Sequence, residues 1–184
     1  GLRAASSVEV VLGHLQRIVD QRITLQVHTV LFSNHTGYGQ FRGQILSAEH
    51  IQSILTGLRE RGVLHKVGAG LSGYLGNAET GSVILDAVGD IRHANPELRY
   101  LCDPVMGDVG RGLFVNPAIP NFLRDQAIPF ANIITPNQFE FELLTGAKLA
   151  SIGEAVAVAR QLRGRGPDTI IITSLATPDI PADQ

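Results

Sequence analysis

The sequence predicts an α/β fold, a doubly wound, mostly parallel sheet with helices on both faces. Two observations carry that expectation. From residue 47 onward, short apolar runs of strand length alternate with longer, capped segments of helical period, and that alternation builds βαβ units. Three of the runs then end in clusters of polar residues, and the carboxyl ends of strands are where open parallel sheets bind ligands.

The elements follow in order. Ser47 caps a first helix with Glu49 in its opening turn; Ile51, Ile54, Leu55 and Leu58 share one face, and Gly62 ends it. Residues 67–75 read as a strand. Asn77 opens the next helix, whose apolar positions are Val83, Ile84, Ala87, Val88 and Ile91, and Asn95-Pro96 closes it. A strand at Arg99–Cys102 follows. Asn116-Pro117 reads as a cap with proline at the first helical position. Residues 132–135 form a third strand. Ser151 and Glu154 have capping-box spacing for a helix carrying Val158, Ala159 and Leu162, stopped at 164–167. A last strand spans 169–173. The sequence reads as a single α/β domain over 1–184.

Composition narrows the function. Of the 184 residues 44% are hydrophobic and 17% charged, which is enough apolar material for a packed core. A net charge of −2 gives no basic footprint for nucleic acid or an anionic membrane. Cys102 is the single cysteine, so no intrachain disulfide forms, as befits a reducing compartment. The opening residues lack the apolar core of a signal peptide, and no apolar run reaches membrane-span length. The expectation is a cytoplasmic protein.

The polar clusters are the informative part. The strand at Arg99–Cys102 runs into Asp103-Pro104-Val105-Met106-Gly107-Asp108, the third into Pro136-Asn137-Gln138-Phe139-Glu140, and the last into Thr173-Ser174. Each has a plain reading: Asp-Pro opens turns, Asn137 caps a helix, and Glu140 complements a helix dipole. Their coincidence at one sheet rim adds another. Two carboxylates there suit Mg²⁺, helix N-termini suit phosphate, and together they suggest phosphoryl transfer from a nucleotide. A separate stretch, residues 32–39, is dense in hydroxyl, amide, imidazole and glycine groups. It reads either as an ordinary polar loop or as one that binds a polar small molecule, with Tyr38, Phe41 or Tyr74 offering an aromatic face.

These residues also carry a resemblance. Ser33-Asn34-His35-Thr36-Gly37-Tyr38, Gly43-Gln44-Ile45-Leu46, Ser72-Gly73-Tyr74, the Cys102 to Asp108 run, Ile133 to Glu140, and Gly166 through Ser174 together resemble the pyridoxal kinase family of the ribokinase-like superfamily. The resemblance implies ATP-dependent phosphorylation of the 5′-hydroxyl of pyridoxal, pyridoxine or pyridoxamine, with Mg²⁺ and a monovalent cation such as K⁺, in a homodimer. It implies that Thr36, His35, Phe41 and Tyr74 bind the vitamin. Asp103, Asn137, Thr173 and Ser174 would bind ATP, and Asp108 and Glu140 the metal, with the loop at 107–114 a flap over ATP. It further implies a Gly-x-Gly-Asp stretch carrying the catalytic base, and none occurs here. The region around Ser7 echoes the family's opening only weakly. The resemblance thus points to an intact protein longer than these 184 residues. Two alternatives stay open: a hydroxymethylpyrimidine kinase, and a catalytically silent protein that binds vitamin or partner.

Overall fold

A computed structural model of the chain describes residues 24–34 and 40–179. Ser7, His35, Thr36 and Tyr38 lie outside the described residues.

The first elements form an antiparallel hairpin, β1 (Val30–Phe32) with β2 (Gly43–Ile45), set apart from the main sheet. Helix α1 (Ala48–Glu60) follows, and the Ser47 hydroxyl accepts the His50 N–H as its cap. The chain then lays down β3 (Ala69–Ser72), α2 (Ala78–Ala94) and β4 (Arg99–Cys102). A two-residue pair, β5 (Gly107–Asp108) with β6 (Gly112–Leu113), interrupts it. Next comes a helical run in three parts: α3 (Ile119–Phe122), a π-turn (Leu123–Ala127) and α4 (Ile128–Phe130). Strand β7 (Ile133–Ile134), helices α5 (Gln138–Thr145) and α6 (Ile152–Arg163), and strand β8 (Thr169–Ile170) complete the order.

Strands β3, β4, β7 and β8 make one parallel sheet in that spatial order. The first two crossovers advance in one direction, and right-handed connections bring α2 and the α3–α4 run together on one side. Packing agrees: the Phe122 ring lies against Gly81 of α2, and the Arg92 guanidinium sits 4.5 Å from the Phe130 ring centre. The core gathers Val88, Tyr100, Cys102, Phe122, Ile134, Phe141 and Leu162. Burial pushes the Cys102 thiol up to about 12, leaving it a packed, inert group.

Three local expectations need correction. The helix expected at Asn116-Pro117 begins at Ile119, because the Asn116 side chain and carbonyl accept the Ala118 and Ile119 N–H groups and hold a turn first. Glu154 does not close a capping box at Ser151; its carboxylate takes the Ala150 N–H at 2.7 Å. The strands are shorter than the apolar runs, most clearly β3, whose ladder can extend only as far as its four-residue partner β4.

Candidate functional site

The carboxyl end of β4 starts the site. The Asp103 N–H donates to the Ser72 carbonyl at 2.8 Å, so the chain keeps its place beside β3 as it leaves the sheet. The Asp103 carboxylate accepts the Thr135 hydroxyl at 3.1 Å. Burial raises its pKa above the usual carboxylate range, against that hydrogen bond.

Glu140 ties the next strand end to this one. Its side chain is buried in the first turn of α5. One oxygen accepts the Met106 N–H and the other the Asn137 N–H, both at 2.9 Å. Asn137 returns the contact, its Oδ1 accepting the Glu140 N–H at 2.9 Å, which completes a capping box. The Asn137 Nδ2 donates to the Gly107 carbonyl at 2.8 Å. Gly107 is forced at that position, since a Cβ would run into the Phe139 ring and the Gly112 carbonyl. Burial raises the Glu140 pKa; its backbone donors oppose the rise and the nearby Asp103 charge adds to it.

The end of β8 closes the rim. The Thr173 N–H donates to the Pro136 carbonyl at 2.9 Å, and the Ser174 carbonyl accepts the Gln138 N–H at 3.0 Å. Thr173 and Ser174 are exposed there. Asp103, Asn137, Glu140, Thr173 and Ser174 therefore converge through direct bonds between their loops. Asp108 stands at the edge of this group. It is exposed on β5, with its Oδ1 accepting the Val109 N–H at 2.7 Å. The loop read as a flap is the β5–β6 hairpin, whose turn closes with an Arg111 N–H to Asp108 carbonyl bond at 3.1 Å.

A second region lies at the end of β3. The Tyr74 carbonyl accepts the Thr29 hydroxyl at 2.6 Å, anchoring the segment before β1. The Phe32 ring sits 4.7 Å from Phe41 and 6.3 Å, edge-on, from Tyr74. An open depression beside them is lined by Ser33, Gln40, Phe41 and Arg42.

The fit to a cation can be judged from this donor set. Asp103 and Glu140 are carboxylates brought so near each other that the charge of one raises the pKa of the other. No group of three metal-ligating side chains occurs among the described residues. Mg²⁺ suits such a place, since it takes one or two carboxylates and fills its octahedron with phosphate oxygens and water.

Phe32, Thr135 and Gln138 stand within the stretches singled out in the sequence, but none of them has a role there. Phe32 could have been found as an aromatic at the start of the polar stretch. Nothing in the spacing marks Thr135 or Gln138; their roles appear only when the strand ends meet.

Comparisons with known proteins bear on the family and the fold. The family model described as phosphomethylpyrimidine kinase matches residues 39–181. The pyridoxal kinase PdxY of Rubrobacter xylanophilus is 51% identical over 162 residues, which are 86% of this chain and 56% of the relative. That of Deinococcus radiodurans is 50% identical, over 86% of this chain and 54% of the relative. Among solved structures, pyridoxal kinase from Leishmania donovani in complex with ADP and pyridoxamine superposes with a TM-score of 0.78 at 31% identity. It covers 84% of this chain and 55% of that one. The same enzyme with ADP and pyridoxine gives 0.77. The chain spans about half the length of the curated relatives it matches.

Proposed function

Because the chain belongs to the phosphomethylpyrimidine kinase family, we propose that the intact protein transfers the γ-phosphate of ATP to the 5′-hydroxyl of pyridoxal, pyridoxine or pyridoxamine. The observation that carries the reading is the meeting of three strand ends on one rim, cross-linked by Glu140, Asn137 and Gln138. Relatives named for this activity, and a related structure holding ADP with pyridoxamine, support it.

The chemistry divides between the two regions. The exposed hydroxyls of Thr173 and Ser174, with Asn137 and Asp103 beside them, receive the nucleotide. Asp108 and Glu140 would hold the Mg²⁺ that accompanies it, with the Asp103 charge beside Glu140 adding to the negative field there. The ion, when bound, neutralises charge that develops on the phosphoryl oxygens. Tyr74, Phe41 and Phe32 give the vitamin ring an apolar wall next to the polar depression at 33 and 40–42. Thr36 and His35 join them on the resemblance alone, as do K⁺ as an accessory cation and the homodimer; a cytoplasmic location rests on the single cysteine, Cys102. No helix among the described residues is long and apolar enough to cross a membrane. The catalytic base is not assigned within this chain.

A substrate panel tests the reading. The intact protein with MgATP is offered the three vitamers and hydroxymethylpyrimidine, and ADP release is followed. Turnover of the vitamers with hydroxymethylpyrimidine at least tenfold poorer in kcat/KM is expected. The reverse preference would assign the protein to pyrimidine phosphorylation. ADP binding without turnover of either would show a catalytically silent protein.

A further inference from the structure

Gln138 sits between two residues already given roles at the rim, yet its own bonds point elsewhere. Its backbone N–H donates to the Ser174 carbonyl at 3.0 Å, and its side-chain Oε1 accepts the Ala176 N–H at 2.8 Å. One residue thus brackets Ser174 to Ala176 much as a neighbouring strand would, beyond the end of β8, where the ladder has run out. The orientation of the amide is fixed from both ends. Ala176 N–H needs an acceptor, and the Nε2 group finds one in the Glu142 carboxylate at 3.1 Å. Glu142 is fixed in turn by the Lys148 ammonium at 2.7 Å and the Leu149 N–H at 3.1 Å. The strap is pinned again further on, where Asp179 accepts the Ile152 N–H at 2.9 Å and the Thr177 hydroxyl at 2.5 Å.

We infer that Gln138 is a positioning residue for nucleotide binding: its amide, oriented by Glu142, sets the backbone of 174–176 at the distance from Asn137 and Glu140 that the phosphates require. This rests on the nucleotide reading of Thr173 and Ser174 above. Gln138 occupies the first turn of the helix that carries the capping box, so it joins the nucleotide-binding loop and the carboxylate box into one rigid unit. Preorganisation of this kind lowers the cost of ordering a loop on binding. The vitamin region has no part in the relay, so the effect is specific to one substrate.

The test uses the intact protein and reads ADP affinity by calorimetry, both KM values and the melting midpoint. Gln138→Ala is expected to raise the ATP KM and the ADP Kd about three- to tenfold, the effect of losing the one side-chain bond that reaches the loop, that to the Ala176 N–H. The pyridoxal KM should stay within about twofold of the parent, a change too small to register as a lost bond. Gln138→Met, which keeps the bulk and loses both side-chain bonds, repeats the test should the alanine variant not fold. Gln138→Glu sets two carboxylates face to face and is expected to bind ADP still more weakly. Adding Glu142→Gln to it removes the facing charges and supplies an Nε2 donor to the carboxylate at position 138, at the cost of the acceptor for the Leu149 N–H, so nucleotide affinity should recover in part. An unchanged ATP KM, equal rises in both KM values, or a double variant no better than Gln138→Glu alone would overturn the inference. A parent protein that binds ADP but phosphorylates no vitamer would refute the vitamin reading and leave the Gln138 test standing on ADP affinity. A parent that binds no ADP would overturn the nucleotide reading and this inference together.

Discussion

At Glu140 one carboxylate serves two purposes, and the balance between them decides what a substitution does. Both its oxygens accept backbone N–H groups from different segments, Met106 and Asn137, inside a buried site. Read from the sequence alone, Glu140 is an acid in a helix's first turn, replaceable at little structural cost. The structure contradicts that: Glu140→Gln turns an NH₂ toward one of the two donors. A buried donor left without an acceptor costs about 1–3 kcal/mol. Chemical denaturation should show that loss for Glu140→Gln. Asp108→Asn, at an exposed turn, should leave stability unchanged. Each should slow MgATP-dependent turnover on the order of 10²–10³-fold, as expected when a group that stabilises developing phosphoryl charge is removed. Full activity in both would remove the metal assignment. The capping box shows why residue roles are only half legible. The spacing S-x-x-E pointed to Ser151 and Glu154, but the reciprocal pair forms at Asn137 and Glu140. Both caps are competent; the difference is which N–H each glutamate rotamer reaches, and tertiary contacts with Met106 settle it at Glu140.

Among the elements, helices were more legible than strands. Caps at Ser47, Asn77, Asn137 and Ser151 each accept the expected first-turn N–H, because a cap is a local bond within a few residues. Strand lengths depend on partners far away in sequence, so the 67–75 and 169–173 runs pair over only part of their span. The π-turn at Leu123–Ala127 had a visible cause, prolines at 120 and 129, but no visible register. Pro129 cannot donate to a preceding carbonyl, and the Ile128 N–H reaches back to Leu123 instead. The link from α5 to the following loop makes a pH prediction. Burial would raise the Glu142 pKa, but hydrogen bonds from Lys148, Gln138 and Leu149 outweigh it and hold the carboxyl below its ordinary value. A depressed carboxyl contributes stability above the unfolded value of about 4.3, and that contribution is lost as pH falls through the folded pKa. The melting midpoint should therefore fall more steeply on acidification in the parent protein than in Glu142→Gln. Equal slopes would show that Glu142 does not bear on the fold.

For the whole molecule, the parallel sheet does the positioning. Strands β4, β7 and β8 run the same way, so residues from positions 103, 137 and 173 arrive at one rim although no local signal links them. The fold class was legible because alternation of strand and helix survives in a single sequence. The bonds between rim loops were not, since they depend on register across strands. In the proposed function this rim takes the nucleotide while the β1–β2 hairpin and Tyr74 take the vitamin. Hydrogen–deuterium exchange on the intact protein tests it most directly, with MgADP alone and then pyridoxal alone. MgADP should protect the amides of 103–108, 135–140 and 173–176, and pyridoxal those of 32–34, 40–45 and 72–76. Protection of the hairpin by MgADP, or of neither set by either ligand, would contradict the division of the site.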